Sequence, residues 1–164
     1  MAKMTSLDDL FLNMLKDIYY AEKQILKALP KMAKKAESAK LRQAFEHHLE
    51  ETEGQVERIE QVFGLLEHKA AGKTCPAIKG ILEEGNEVMK EAADSDVLDA
   101  GMIADAQAVE HYEIARYGTM IAWANQLGLR EVASLLNQNL EQEYNADMKL
   151  TELAESSLNR QAAA

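Results

Sequence analysis

Eight glycines and two prolines are the only strong helix breakers in 164 residues, and this scarcity constrains the fold more than any other feature of the chain. A many-stranded β architecture needs frequent turns and would draw on far more of both. Ala, Leu, Glu, Lys, Gln and Met dominate instead, all good helix formers. Hydrophobic residues make up 47% of the chain, too many for a disordered polymer and enough for a packed core in one domain spanning 1–164.

Capping residues and apolar periodicity divide the chain into helices. The first long helix is expected from about Ser6 to Glu37, with Ser6 as its cap and Asp8 and Asp9 in the first turn to meet the helix dipole. Pro30 should kink this helix or end its regular part. Ser38 caps a second helix to about Glu67, and a loop follows over His68–Thr74. Pro76 opens a shorter helix to Ala93, as prolines do at a first helical position. Asp94 or Ser95 caps the third long helix, which ends at Gly128 in a left-handed C-cap. The fourth long helix runs from Leu129 to about Leu158, and the tail Arg160–Ala164 should fray. Two antiparallel helical hairpins joined by one long connection describe an all-α, ferritin-like four-helix bundle, with an additional short helix between the second and third long helices.

Charge removes several classes of partner. With 18 basic and 28 acidic residues the formal net charge is −10, which disfavours nucleic acid and anionic membrane surfaces. No apolar run approaches the length of a bilayer span. The first residues, Met1 to Ser6, lead straight into an amphipathic segment and lack the apolar core of a signal peptide. One cysteine, Cys75, cannot form an internal disulfide, and a reducing cytoplasm is the expected setting. Cys75 itself reads as incidental.

The chemistry emerges when each helix is read for its buried stripe. In the first helix the seam is Phe11, Leu15, Ile18, Ile25 and Leu29, and Glu22 fills the gap where a core residue belongs. In the third it is Ile103, Gln107, Glu110, Ile114, Tyr117 and Ile121, with Glu113 flanking Glu110. In the fourth, Val132, Leu136, Asn139, Glu143, Asp147, Leu150 and Ala154 place two carboxylates on one face. The second helix turns His48, Thr52 and Gln55 inward, with Glu51 at the edge of the stripe. Glu22 and Glu51 lie about equally far from the first hairpin turn, and Glu110 and Glu143 about equally far from the second, so antiparallel pairing brings all of them to one level. Glu22, Glu110, Glu143 and Asp147 would converge there, with Glu51 and Glu113 at the margins.

Such a layer is not ordinary packing. An unpaired buried carboxylate costs several kcal/mol, and clustering adds repulsion. No Lys or Arg is in phase on the four seams, and only His48 could carry positive charge there. Shared protons, a wet cavity or bound cations remain as remedies. Two divalent ions nearly balance up to six carboxylates, and oxygen-rich ligation suits iron or manganese, or less selectively magnesium, calcium or zinc. Other tempting residues read more simply. Glu46, Glu50, Glu53, Glu57 and Glu60 form a solvated stripe, His47 and His68 point outward, and Tyr19, Tyr112 and Tyr144 read as packing residues. The third helix carries a second apolar stripe of Leu98, Met102, Val109, Met120, Trp123 and Leu127, which the short helix could cover in part and a second subunit in the remainder, so a homodimer is expected.

The stretches Tyr19-Tyr20-Ala21-Glu22-Lys23-Gln24, His48-Leu49-Glu50-Glu51-Thr52 with Gln55, Val109-Glu110-His111-Tyr112-Glu113-Ile114-Ala115, and Glu143 with Asp147 resemble the YciF-like (YciE/YciF) ferritin-like proteins. The third stretch, followed by Tyr117-Gly118, is the most specific, and the resemblance covers nearly the whole chain. It implies a ferritin-like fold with an added helix, a dimer, and a role linked to bacterial stress; it does not supply a reaction. The wider ferritin-like pattern places a Glu on the first and third helices and a Glu-x-x-His on the second and fourth. Glu22 and Glu110 match it directly. Glu143 matches the fourth-helix Glu, but Ala146 occupies the His slot, with Asp147 as a substitute one residue on. The second helix has no Glu-x-x-His; Glu51 is its best acid, and His48, Thr52 and Gln55 would be weak or outer ligands. Glu113 is an extra carboxylate.

Three functions therefore stand open. One is a dimetal-carboxylate protein of a stress response that reduces oxygen or peroxide. Another is a non-catalytic protein that binds or stores iron or manganese. The last is a metal-free helical adaptor acting through its apolar stripe.

Overall fold

The computed structural model describes residues 3–164. Met1 and Ala2, part of the segment read as lacking a leader, lie outside the described residues. The chain forms α1 (Leu7–Lys35), α2 (Ala39–Leu65), α3 (Pro76–Glu91), α4 (Ser95–Gln126) and α5 (Arg130–Leu153), then a π-helical turn (Ala154–Leu158) and α6 (Asn159–Ala162). The described residues contain no strand. None of their helices is long and apolar enough to cross a membrane.

Local chemistry sets the helix ends. The Ser6 hydroxyl accepts the Asp9 N–H at 3.1 Å, and the Asp9 carboxylate accepts the Ser6 N–H at 3.1 Å, which closes a capping box at α1. Ser38 caps α2 through the Leu41 N–H, and Asp94 caps α4 through the N–H groups of Asp96 and Val97. Gly128 has φ 74, so the α4–α5 turn uses a conformation that a side chain would strain. α1 runs through an exposed Pro30 to Lys35, close to its expected end near Glu37. One expectation changes. The tail expected to fray at Arg160 is helical to Ala162, continuous with α5 through the π-helical turn that buries Ala154 and Leu158.

α1 packs against α2, α4 against α5, α2 against α5 and α1 against α4, which closes the ferritin-like four-helix bundle. α3 is the added helix and lies over α4 and α1. Gly101 permits that close crossing, since a Cβ there would come within 2.6 Å of Val88 Cγ1. With α5 on one side and α3 on the other, α4 is buried on two faces. Met102, Val109 and Met120 of its second stripe are accordingly buried within this one chain, and Leu98, Trp123 and Leu127 partly so. Most of the surface that pointed to a second subunit is thus already covered.

Two polar contacts lock the connections. Cys75 is the N-cap of α3: its Sγ accepts the Ile78 N–H at 3.4 Å and lies 3.0 Å from the Tyr112 hydroxyl, which in turn donates to Asp17 at 2.6 Å. Cys75 and Tyr112 thus tie α3, α4 and α1 together. Asp99 of α4 is 1% exposed and its two oxygens accept the backbone N–H groups of Glu37 (3.0 Å) and Ser38 (2.8 Å) in the α1–α2 turn. Removing a buried acceptor strands both donors at about 1–3 kcal/mol. Asp99→Ala should therefore lower the unfolding free energy by about that amount in urea denaturation; an unchanged midpoint would show that the turn is held by other contacts.

Candidate metal centre

The buried stripes of four helices meet at mid-bundle. α1 contributes Glu22, α2 contributes His48, α4 contributes Glu110 and Glu113, and α5 contributes Glu143. Glu22, Glu113 and Glu143 are fully buried, Glu110 is 2% exposed and His48 5%. His48, Glu110, Glu113 and Glu143 each present one ligand-type atom, and these atoms lie within 4.8 Å of one another. Four residues, one histidine and three glutamates, thus bring ligand-type atoms together, and the cluster could hold a metal ion.

The outer side of this cluster is hydrogen-bonded and the inner side is not. Tyr117 donates to Glu22 Oε1, and Gln55 donates through Nε2 to Glu143 Oε1. Asn139 donates to the Tyr117 hydroxyl at 3.0 Å, and Arg58 donates to Asn139 Oδ1 and to Gln142. A chain of donors therefore runs from Arg58 through Asn139 and Tyr117 to Glu22. His48 Nδ1 is 3.4 Å from Glu51 Oε2, while its Nε2 lies 3.2 Å from Glu110 Oε1 and 3.6 Å from Glu143 Oε2. A carboxylate behind one ring nitrogen fixes the tautomer and aims the other. By contrast Glu22 Oε2, His48 Nε2, Glu110 Oε2, Glu143 Oε2 and both oxygens of Glu113 are buried without a hydrogen-bond partner.

Electrostatics follow from that arrangement. Burial, then the charge of Glu143, pushes the Glu22 pKa from 4.5 up to about 8. Burial and Glu143 likewise raise Glu110 and Glu113 well above the carboxylate range. Burial works against the His48 imidazolium, but Glu51, Glu143 and Glu22 outweigh it and raise its pKa above 6.5. Burial, then Glu22, also raises Tyr117, which keeps its proton as a donor. Among the described residues, His48 is the one basic side chain at ion-pair distance from the four buried glutamates.

The positions differ in part from those read in the sequence. Glu22, Glu110 and Glu143 converge as expected. Glu113, placed at the margin, is central, because α4 is buried on two faces and a residue at the edge of its seam is still interior. Asp147 stands apart: its Oδ1 accepts Gln107 at 3.0 Å and its Oδ2 is 3.2 Å from His111. One helical turn from Glu143 carries it about 6 Å along the axis, out of the layer. Glu51 and His48 exchange roles, since Glu51 sits at the rim between His47 and His48 while His48 points inward. Thr52 is buried but bonds back to the His48 carbonyl at 2.7 Å. Gln55 is an outer donor. Asn139 and Tyr117 were read as seam residues only, and their polar ends in an apolar stripe were the available signal. Arg58 gave none beyond lying near Gln55 on α2.

The chain matches the family described as a domain of unknown function, DUF892, over residues 6–163. It belongs to this family. It is 48% identical over 160 residues to Protein YciF of Escherichia coli (strain K12), covering 97% of this chain and 96% of that protein. The crystal structure of the E. coli stress protein YciF superposes with a TM-score of 0.91, covering 95% of this chain and 99% of that one. YcfI of Rhodopseudomonas palustris superposes with a TM-score of 0.90 at 52% identity, covering 91% of this chain and 95% of that one. A Xanthomonas campestris protein at 24% identity, with a TM-score of 0.71 over 92% of each chain, shares the fold. The DUF892 fold thus carries the resemblance seen in the helix motifs through to the whole backbone.

The raised carboxyl pKa values give the metal-free protein a defined pH response. Between pH 4.5 and about 8 the fold keeps a proton on Glu22 that the unfolded chain releases. Folded protein then binds more protons than unfolded, so stability falls as pH rises through that window. His48 acts in the same direction: its raised pKa gives stability that is complete below pH 6.5 and is lost as pH rises through the folded value. In chelator the melting temperature should be lower at pH 8 than at pH 5.5 by at least about 4 °C. A melting temperature that rises over this interval would show that the buried acids are ionised in the metal-free fold.

Proposed function

We propose that this protein is a ferritin-like dimetal-carboxylate protein of a bacterial stress response, with two divalent ions, iron or manganese, at the mid-bundle cluster, and that it reduces oxygen or peroxide there. One observation carries the reading. The cluster is hydrogen-bonded on its outer side, while six buried polar atoms of Glu22, His48, Glu110, Glu113 and Glu143 have no hydrogen-bond partner and only one another as neighbours in charge. Such atoms each cost free energy unless something meets them. A donor set of four glutamates and one imidazole fits hard or borderline divalent cations. Two such ions balance four ionised glutamates without any basic partner.

His48, Glu110, Glu113 and Glu143 would hold one ion, and Glu22 would hold a second together with Glu113 and Glu143. Glu22 is placed with those two because it is their close neighbour: the Glu143 charge raises its pKa, and Glu113 stands at hydrogen-bonding distance from it. Bound metal would supply an open coordination position and one electron per divalent ion, two for one peroxide, and repeated turnover would draw its electrons from an added reductant or from a second peroxide oxidised to oxygen. The chain's own groups do the rest. Glu51 orients the His48 ring, Gln55 and Tyr117 fix one oxygen each of Glu143 and Glu22, and the surrounding side chains exclude bulk water. His48, with Glu51 behind its Nδ1, is the group placed to pass a proton at the centre. The stress role is supported by membership of the family and by the description of E. coli YciF as a stress protein. A homodimer belongs to the same reading; of the exposed large apolar side chains, Tyr144 and Met148 lie one turn apart on α5 and offer it a paired contact.

Protein expressed with added iron or manganese should carry about two metal equivalents per chain by elemental analysis and turn over hydrogen peroxide. Glu22→Ala/Glu143→Ala should lose the metal, and Glu110→Ala the turnover. Negligible metal in both parent and double variant would overturn the proposal. Glu113→Gln adds an independent readout: metal lost, yet the chelated protein at pH 8 more stable than the parent by about 1–2 kcal/mol, because a neutral amide replaces a crowded carboxyl.

A further inference from the structure

A second feature adjoins the cluster without belonging to it. Between α2 and α5 a cavity of about 230 Å³ runs from the surface to His48 and Glu110. Ala44, Phe45, Ala146 and Leu150 form its walls, and His47 and Lys149 stand among its lining residues on the exposed side. At its inner end Glu110 Oε2 is buried without a hydrogen-bond partner, and His48 Nε2 lies 3.2 Å from Glu110 Oε1. The space is several times the ~30 Å³ that a water molecule occupies in the liquid. Dioxygen or hydrogen peroxide would need far less of it. Glu51 and Asn145 also line it, but the bulk of the wall is alanine, phenylalanine and leucine, which a hydrocarbon matches and a hydrated cation does not. Ala146 is what keeps it open: it sits one turn beyond Glu143 and is only partly buried, and any larger side chain there would enter the cavity.

We propose that this pocket binds small neutral organic molecules with a compact hydrocarbon body and a hydroxyl or hydroperoxyl head. The hydrocarbon lies against Phe45, Ala146 and Leu150, and the oxygen head points to the His48 and Glu110 end. Apolar walls with a few convergent polar groups at one end are what such a ligand requires. A hydroxyl or hydroperoxyl head suits this end because it can donate to a glutamate oxygen and accept from an imidazole N–H without carrying a charge into a buried site. Binding stands on the cavity alone; only the consequence, that organic hydroperoxides are the oxidants the centre admits, rests on the proposed metal centre.

The probe is 2-phenyl-2-propanol, the redox-inert alcohol corresponding to cumene hydroperoxide, added to the full-length protein as purified and followed by NMR titration and by crystal soaking. The parent should bind it saturably, with the ring against Phe45 and Leu150 and the hydroxyl toward His48. Ala146→Phe and Ala44→Leu, which fill the pocket from opposite helices, should each weaken binding about tenfold or more. Metal content and helicity, measured on the same samples, should match the parent. No saturable binding to the parent would overturn the proposal, as would equal binding to both filled variants or density for the alcohol elsewhere. Failure of the metal reading is seen separately: metal would be absent from the parent whether or not the alcohol binds.

Discussion

Four glutamates buried at one level of a helical bundle repel one another, and the rest of the structure is organised around that repulsion. Neither burial nor proximity can be relieved locally, because each side chain is held by a helix packed on at least two others. Hydrogen bonds supply part of the answer from outside: Tyr117 to Glu22, Gln55 to Glu143, and Glu51 behind His48. These contacts fix one face of each group and leave the opposite face free. In the metal-free protein retained protons must supply the remainder, which is why burial drives the carboxyl pKa values upward. A bound cation reverses the preference and makes ionised carboxylates the stable form. The same geometry is costly without metal and favourable with it.

The scaffold gives that geometry its precision. Register between α4 and α5 is set at Gly128, whose positive φ fixes a short turn. Register between α1 and α2 is held from a third helix, through the grip of Asp99 on the turn amides. α3 supplies a further constraint by covering α4 opposite the bundle core, anchored by Cys75 and Tyr112 against α1. Doubly covered, α4 can present both Glu110 and Glu113 to the interior.

Much of this was legible in the residues, for physical reasons that differ by case. Helix spans followed from caps and from the shortage of breakers, and the level of Glu22, Glu110 and Glu143 followed from counting residues to two tight turns. Periodicity resolves which face a residue occupies but not how wide the buried sector is. That is why Glu113 was placed too far out and Asp147 too far in. His48 and Glu51 are three residues apart on α2, and phase alone could not say which of them reaches the centre and which stands behind it. Asp99 escaped notice because its partners are backbone amides of a turn far away in sequence. The cavity beside Ala146 follows from the absence of a side chain, which composition does not reveal.

The central claim is that the inward-facing atoms of Glu22, His48, Glu110, Glu113 and Glu143 are metal ligands. Anomalous diffraction from crystals of protein grown with iron or manganese, recorded on both sides of the metal's absorption edge, tests it most directly. The account predicts two edge-dependent peaks per chain at mid-bundle, with Glu113 and Glu143 touching both and His48 Nε2 touching one. Crystals of metal-supplemented protein with no anomalous peak inside the bundle, and ordered water or close carboxyl–carboxyl hydrogen bonds in its place, would contradict it.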